Sequence, residues 1–301
     1  MSDTSDAAAP ARFIDLHSHT NESDGSLAPE ELVQLARRNG LDALAITDHD
    51  TFAGYEKAVP FARDAGLELV RGIELNSRLK VGDEPERSVH LLGYFPWREP
   101  SWEMTGFLEQ QRKDRQDRNR RLAETLRKRG VNLTVKEVEA RGRSLAGRVH
   151  FAQILVEKGY AENSNDAFRK YLGEAAPTYV HRESLTTAEA IQTVRRGGGV
   201  PVLAHPVRLG LPREVESEVF LQLKSEGLMG LEVYHSEHPP ALQAHYRQLA
   251  EELGLLPTGG SDFHGAIKPT IDLGTGLNGN VRVPREFLDR MRSAAHTDGR
   301  G

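Results

Sequence analysis

Seven short runs of consecutive Val, Ile, Leu and Ala residues, each followed by a stretch with helical spacing, constrain this chain more than any other feature. They fall at 13–16, 43–47, 67–73, 89–94, 200–204, 230–234 and 255–258. Uninterrupted apolar runs belong to strands buried on both faces, the pattern of parallel sheets. The segments between them carry helix signals. Pro29 opens and Gly40 closes 29–39, Gly197-Gly198-Gly199 follows 189–196, and Gly254 follows 242–253. Such alternation predicts an α/β fold, and 301 residues suit one barrel with an insertion.

Between the fourth and fifth runs the rhythm stops. Residues 104–129 read as one long polar helix, followed by helical pieces at 135–140, 149–157 and 165–171. The expected organisation is a helical insertion at 101–180 that splits a barrel of 11–100 and 181–292, with a disordered leader at 1–10 and a disordered tail at 293–301. The formal net charge is −5, yet the insertion carries more Lys and Arg than Asp and Glu. A cation-binding body and an anion-meeting insertion would divide charge this way, although most of those arginines are expected on a solvated face. Arg112, Arg115, Arg118, Arg120 and Arg121 run along the long helix, interrupted by Asp114 and Asp117 and without interleaved aromatics that stack bases. A short oligonucleotide fits such a surface; a long duplex is not expected.

No cysteine is present, which excludes disulfides, thiolate metal sites and cysteine nucleophiles. Any metal must be held by imidazole and carboxylate. No apolar stretch approaches the ~20 residues that span a bilayer, and the first ten residues lack a signal-peptide pattern. A soluble cytoplasmic protein is expected, with no membrane contact and no obligate protein partner.

Polar residues gather where the apolar runs end. The first run gives His17 and His19, the second Asp48, His49 and Asp50, and the third Glu74. The fourth carries His90, the fifth ends at His205, the sixth spans Glu232 to His235, and Asp262 and His264 follow the seventh. In parallel α/β sheets the C-terminal strand ends are where ligands and catalytic groups collect. Side chains two apart at a strand end point the same way, so His17 and His19 can converge on one ion. A lone histidine in such a run is ordinarily a hydrogen-bonded core residue. Seven of them at successive ends would cost several kcal/mol each if buried without partners, which only mutual pairing or metal ions offset. A metal cluster is therefore expected. His150, His181, His238, His245 and His296 lie outside the pattern, with His245 and His296 expected at the surface.

These residues resemble the polymerase and histidinol phosphatase (PHP) family of metal-dependent phosphoesterases. The resemblance rests on Asp15-Leu16-His17-Ser18-His19-Thr20, Ile46-Thr47-Asp48-His49, Gly72-Ile73-Glu74, Ala204-His205-Pro206 and Gly259-Gly260-Ser261-Asp262-Phe263-His264, and covers 12–97 and 186–277. It implies a distorted (β/α)7 barrel with two to three divalent ions, manganese first, with iron, zinc or magnesium as alternatives. Carried over by position, it implies His17, His19, Glu74 and Asp262 on a first metal, Glu74, His90 and His205 on a second, and Asp24, His49 and His264 on a third. Asp24 departs from the family, which often has histidine there; its other reading is a turn residue in Ser23-Asp24-Gly25. An oxygen ligand favours Mn²⁺, Mg²⁺ or Fe²⁺ over Zn²⁺ at that seat.

A narrower resemblance, carried by Ser23-Asp24-Gly25, Gly147-Arg148-Val149-His150 and Glu232-Val233-Tyr234-His235-Ser236, is to the branch acting on nucleotides. It implies removal of the 3′-phosphate of nucleoside 3′,5′-bisphosphates by metal-activated hydroxide. Alternatives are 5′→3′ exonuclease action on short RNA, histidinol-phosphate hydrolysis, or a non-catalytic structural module. Bridged metals lower the pKa of water from ~15.7 toward 7 and neutralise phosphoryl charge. Glu74 and Asp262 are the candidate catalytic carboxylates. Arg148 is either a second-phosphate clamp, since guanidinium forks onto phosphate, or an ordinary helix-start residue. His150 and Ser184 are further candidate substrate contacts. His235 either protonates the leaving hydroxyl or holds phosphate, or else supports a ligand. Glu232 and Asp15 are expected to back the ligands, and Tyr179 and His181 to pack. Amide hydrolysis is disfavoured, because such sites commonly carry a modified lysine on the fourth strand and 89–94 has none.

Overall fold

The structure, a computed structural model, describes residues 13–143, 145–181 and 185–297. Its main strands are β1 (Phe13–Asp15), β2 (Ala43–Ile46), β3 (Glu68–Leu79), β4 (Arg87–Tyr94), β5 (Leu185–Thr186), β6 (Val200–Leu203), β7 (Gly230–Tyr234) and β8 (Leu256–Gly259). Short strands β9 (Ile271–Asp272), β10 (Gly276–Leu277) and β11 (Val283–Pro284) follow. The helices are α1 (Pro29–Arg38), α2 (Ala53–Ala65), α3 (Trp102–Lys128), α4 (Val135–Gly142), α5 (Arg148–Glu157), α6 (Ser164–Ala167), α7 (Thr187–Arg196), α8 (Arg213–Ser225), α9 (Pro240–Leu253) and α10 (Glu286–Thr297).

The sheet runs β11-β1-β2-β3-β4-β6-β7-β8, with β5 added beside β3. Its ends meet: Leu16 N–H donates to Gly259 O (3.1 Å), Asp262 N–H to His17 O and His19 N–H to Phe263 O (both 2.9 Å). The result is a nearly closed seven-stranded barrel, the expected distorted (β/α)7 architecture. Period-two alternation serves both faces. Ile14, Leu16, Ala43, Ala45, Leu92, Val200 and Val202 cluster with Phe287 and Met291 of α10. The intervening Leu44 and Ile46 pack on α1 and α2, while Leu91, Leu203 and Leu231 pack with Ile191, Phe220 and Leu249 of α7, α8 and α9.

Three expectations need correcting. Not every strand runs parallel, because β4 is antiparallel to both β3 and β6. It follows that His90 reaches the ligand end from the first half of its strand rather than from a C-terminal end. Nor does the third strand stop at Glu74: β3 continues to Leu79 and turns through residues 80–86 into β4. A parallel neighbour would need a crossover of a dozen or more residues, which this connection cannot supply. The tail also differs from expectation, since α10 carries regular structure past residue 293 as far as Thr297.

The segment from α3 to α6 contains no strand among its described residues. It holds its own apolar cluster, with Leu122, Leu126, Phe151, Leu155 and Leu172 buried together. After α6 the chain makes a π-turn at Phe168–Leu172.

Candidate metal centre

The cluster is organised by the two oxygens of Glu74, which is 1 % exposed. Oε2 faces His17 Nε2 (3.4 Å), His19 Nε2 (3.1 Å) and His49 Nε2 (3.3 Å). Oε1 faces His90 Nδ1 (2.8 Å) and His205 Nε2 (3.1 Å). Asp262 Oδ1 lies 3.5 Å from each of His17 Nε2, His19 Nε2 and His264 Nδ1. Asp24 joins the other flank, 3.4 Å from His19 Nδ1, 3.6 Å from His49 Nε2 and 3.5 Å from His264 Nε2. All nine residues put forward as metal ligands thus converge.

Buried carboxylates and backbone contacts hold these side chains in place. Asp15 accepts from His17 N–H (3.1 Å), Ser261 N–H (3.0 Å), Ser261 Oγ–H (2.6 Å) and Gly274 N–H (2.8 Å), tying the first and last ligand loops together. Burial pushes its carboxyl up against these hydrogen bonds. Asp48 does the same for the loop carrying Asp24, accepting from Thr20 N–H (2.7 Å), Thr20 Oγ–H (2.6 Å) and Ser23 Oγ–H (2.6 Å). Glu232 accepts from His205 N–H (2.6 Å) and pairs with His17 Nδ1 (2.9 Å), which turns Nε2 inward. Gly260 is required where it stands, since a Cβ there would lie 2.2 Å from His17 N. Three site residues hold positive φ: Asp50 (52°), His205 (25°) and Asp262 (57°). Such backbone costs about 1–3 kcal/mol per residue and persists only where the surroundings enforce it.

The electrostatics are set by carboxylates and imidazoles buried against one another. Burial would raise the Glu74 carboxyl, but the His49, His90 and His17 rings hold it well below the usual range. Burial likewise opposes ionised Glu232, yet His17 brings it to about 2. Burial disfavours a charged His19, and the Asp262 and Glu74 carboxylates nonetheless lift it to about 9. His205 is pushed down to about 3 by burial. His17 Nε2 and both ring nitrogens of His19 are buried without a hydrogen-bond partner. Buried polar atoms are almost always paired, so their aim at carboxylates 3.1–3.5 Å away is what a cation between them would satisfy. Four groupings have ligand atoms within 4.8 Å of one another: His17/His19/Asp262, His19/His49/Glu74, His19/Asp24/His264 and Glu74/His90/His205. An all-nitrogen-and-oxygen donor set fits divalent transition metals or magnesium.

The PHP domain family model matches residues 15–178. The chain belongs to this family. The 5′-3′ exoribonuclease Rnm of Escherichia coli is 34 % identical over 282 residues, covering 92 % of each chain. A 3′,5′-nucleoside bisphosphate phosphatase of Chromobacterium violaceum is 29 % identical, covering 87 % of this chain and 90 % of its own. Among solved structures, a candidate metal-dependent phosphoesterase of Bifidobacterium adolescentis superposes with a TM-score of 0.77 at 32 % identity, covering 94 % of this chain and 96 % of its own. This PHP protein is accordingly a metal-dependent phosphoesterase, a hydrolase of phosphoester bonds, and the non-catalytic reading falls away. No helix among its described residues is long and apolar enough to cross a membrane.

Beside the PHP cluster lies a cavity of ≈ 210 Å³ bounded by Asp24 and His49 on one side and by the α3–α6 segment on the other. Arg78, Arg115, Arg118, Arg148, Phe168 and Tyr179 line it. Arg148 stands 5.9 Å from the Phe168 ring centre and 5.8 Å from that of Tyr179, and Nη1 donates to Leu172 O (3.3 Å). His150 also lines the cavity but is only 6 % exposed, and its Nδ1 accepts from Gly147 N–H (3.0 Å). His235 is fully buried, with Nδ1 accepting from Glu237 N–H (3.1 Å) and Nε2 toward Asp262 Oδ2 (3.4 Å). Both its nitrogens face protein groups, which favours the supporting role over proton donation. Ser184 lies outside the described residues.

Several residues at the site were not placed there by the sequence reading, which named Arg115 only as one of a run of arginines along a helix. Arg115 reaches from α3 to pair with Asp50, beside His49, and Asn76 Nδ2 lies 3.4 Å from the same carboxylate. Arg208 and Lys268 both pair with Asp262. Long side chains arriving from distant loops leave no local motif, so spacing alone could not have found them.

Proposed function

We propose that this phosphoesterase removes the 3′-phosphate of nucleoside 3′,5′-bisphosphates. The observation that carries the reading is the cavity beside the cluster, where four guanidiniums share a wall with two aromatic rings. Guanidinium recognises phosphate in a fork, and aromatic faces stack bases. A ligand with a base, a 5′-phosphate and a 3′-phosphate fills all three features: Phe168 and Tyr179 meet the base, Arg148 and Arg115 hold the 5′-phosphate, and the 3′-phosphate lies over the cluster. Histidinol phosphate, with one phosphate, leaves the guanidiniums unused.

In this reading His17, His19, Asp24, His49, Glu74, His90, His205, Asp262 and His264 are the metal ligands, with Glu74 offering one oxygen to each half of the cluster. Bound divalent cations supply Lewis acidity, neutralising phosphoryl charge and making water a nucleophile near neutral pH. The chain's own part is positional. Arg148 fixes the substrate so that the reacting phosphorus lies in line, which converts binding into effective concentration. Glu232 and Asp15 hold the first ligand loop, and His235 orients Asp262.

The exoribonucleases among the relatives favour a second reading on the same geometry. A 5′-terminal nucleotide of RNA also carries a 5′-phosphate and a 3′-phosphate, the latter esterified onward. The test is product release by Mn²⁺-loaded protein from adenosine 3′,5′-bisphosphate, 3′-AMP, histidinol phosphate and a 5′-phosphorylated trinucleotide. The bisphosphate should be the best substrate, with 5′-AMP as product. Equal turnover of 3′-AMP would remove the second-phosphate clamp, and preference for the trinucleotide would establish the exonuclease reading.

A further inference from the structure

Asp262 divides its two oxygens between two kinds of neighbour. Oδ1 faces the imidazoles of His17, His19 and His264. Oδ2 receives Lys268 Nζ at 2.7 Å and Arg208 Nη2 at 2.9 Å, with His235 Nε2 at 3.4 Å. Arg208 is fixed from behind by Glu237, which accepts from Nε (3.0 Å) and Nη2 (2.6 Å). The two cations arrive from separate loops, Arg208 in the turn after His205 and Lys268 just beyond His264. Neither lines the arginine cavity.

Two features set this pair apart from charges that merely neutralise a carboxylate. The first is arithmetic of charge. Arg208 and Lys268 already balance Asp262 and Glu237, so divalent cations bound at Oδ1 leave this flank positive, and an anion completes it. The second is access. The side chains of Arg208 and Lys268 are 32 % and 33 % exposed, whereas Asp262 beneath them is 4 % exposed. An ammonium has three donors and a guanidinium five, so each retains donors beyond those spent on Asp262 and Glu237.

We infer that Arg208 and Lys268 are catalytic residues that donate hydrogen bonds to the non-bridging oxygens of the reacting phosphoryl group. They act at the flank of the cluster away from the arginine cavity. The reaction they serve is in-line hydrolysis: a water oxygen bonds to phosphorus, the P–O ester bond breaks, and the ester oxygen leaves as a hydroxyl with a proton from solvent. As negative charge shifts across the equatorial oxygens, donors already held in place by Asp262 and Glu237 need no reorganisation. The inference rests on the reading of Asp262 as a metal ligand but not on the nucleotide substrate.

The test uses full-length Lys268→Met and Arg208→Met, each with its charge-retaining partner, Lys268→Arg and Arg208→Lys. Three quantities are read: bound metal per chain by atomic emission, the Kd of inorganic phosphate for the Mn²⁺-loaded protein by calorimetry, and kcat on p-nitrophenyl phosphate. That substrate has no nucleoside, so failure of the nucleotide reading leaves this measurement intact. Each Met variant should keep its metal content, bind phosphate about tenfold more weakly and lose about 10²-fold in kcat. The charge-retaining variants should recover part of both. Metal loss in step with kcat in all four variants would overturn the inference, because the pair would then serve only to hold Asp262. So would unchanged phosphate affinity and kcat in both Met variants.

Discussion

Glu74 in the barrel and Glu137 at the start of α4 are both held more acidic than an ordinary glutamate, one deep in the protein and one at its surface. Glu74 is buried among five imidazoles, whose rings offset a burial that would otherwise raise it. Glu137 is brought to about 2 by Lys158, with the N–H and hydroxyl of Thr134 adding hydrogen bonds, at a solvated surface. Glu137 itself has a protein partner of opposite sign in Lys158. Around Glu74 the carboxylates face ring nitrogens of His17 and His19 that have no hydrogen-bond partner in the protein. One carboxylate meets a lysine at the surface, and the other meets only imidazoles in the interior; that contrast separates the clustered end of the barrel from the helices beside it.

The largest effect that could break the contrast is expected from Glu74→Gln. The amide keeps the shape but loses the charge that two halves of the cluster share. Turnover should fall by more than about 10³-fold, accompanied by loss of bound metal in elemental analysis. Full metal content with turnover near wild type would show that the cluster does not depend on this carboxylate. Phe168→Ala sharpens the comparison from the helical side. Removing a stacking face worth about 1–3 kcal/mol should raise KM for adenosine 3′,5′-bisphosphate about tenfold while kcat moves less. An unchanged KM would take the base off this wall.

The smallest effect concerns Glu137. Its folded pKa lies below the ordinary 4.5, so its contribution is fully present above that value and is lost as pH falls toward about 2. As a solvated pair it contributes less than about 1 kcal/mol. The urea midpoints of Glu137→Gln and the wild type should therefore differ slightly at about pH 7 and draw together at about pH 3, the gap shrinking further in high salt. A gap that widens in acid would mean the side chain is doing something other than pairing with Lys158.

Much of the cluster was legible because all its members but Asp24 sit on or beside an apolar strand run, and strand runs are strong signals. The α/β class followed from the same runs, and the barrel from the family resemblance. Strand direction was not legible: residues 89–94 have the same apolar character whichever way they lie, and only the brevity of the turn at 80–86 betrays the reversal of β4. The continuation of β3 to Leu79 escaped because Asn76, Ser77 and Arg78 interrupt the apolar pattern, all three lining the cavity. Polar supports such as Asp48–Ser23, Arg115–Asp50 and Lys268–Asp262 join residues 25 to 65 positions apart or lie on loops, where neither period nor propensity speaks.

The reversal of β4 also sets a length. Because β4 points away from the ligand end, the chain leaves it at the far mouth of the barrel, where Ser101 N–H donates to Gly197 O (3.0 Å) as α3 begins. To bring Arg115 back to the ligand end, α3 must climb the barrel wall, and thirteen residues from Trp102 rise about 20 Å. The helix is thus a ruler cut to the height of the sheet. Removing one turn from its first half would draw Arg115 about 5 Å down the wall, away from Asp50 and the cavity, without altering a single residue that touches either.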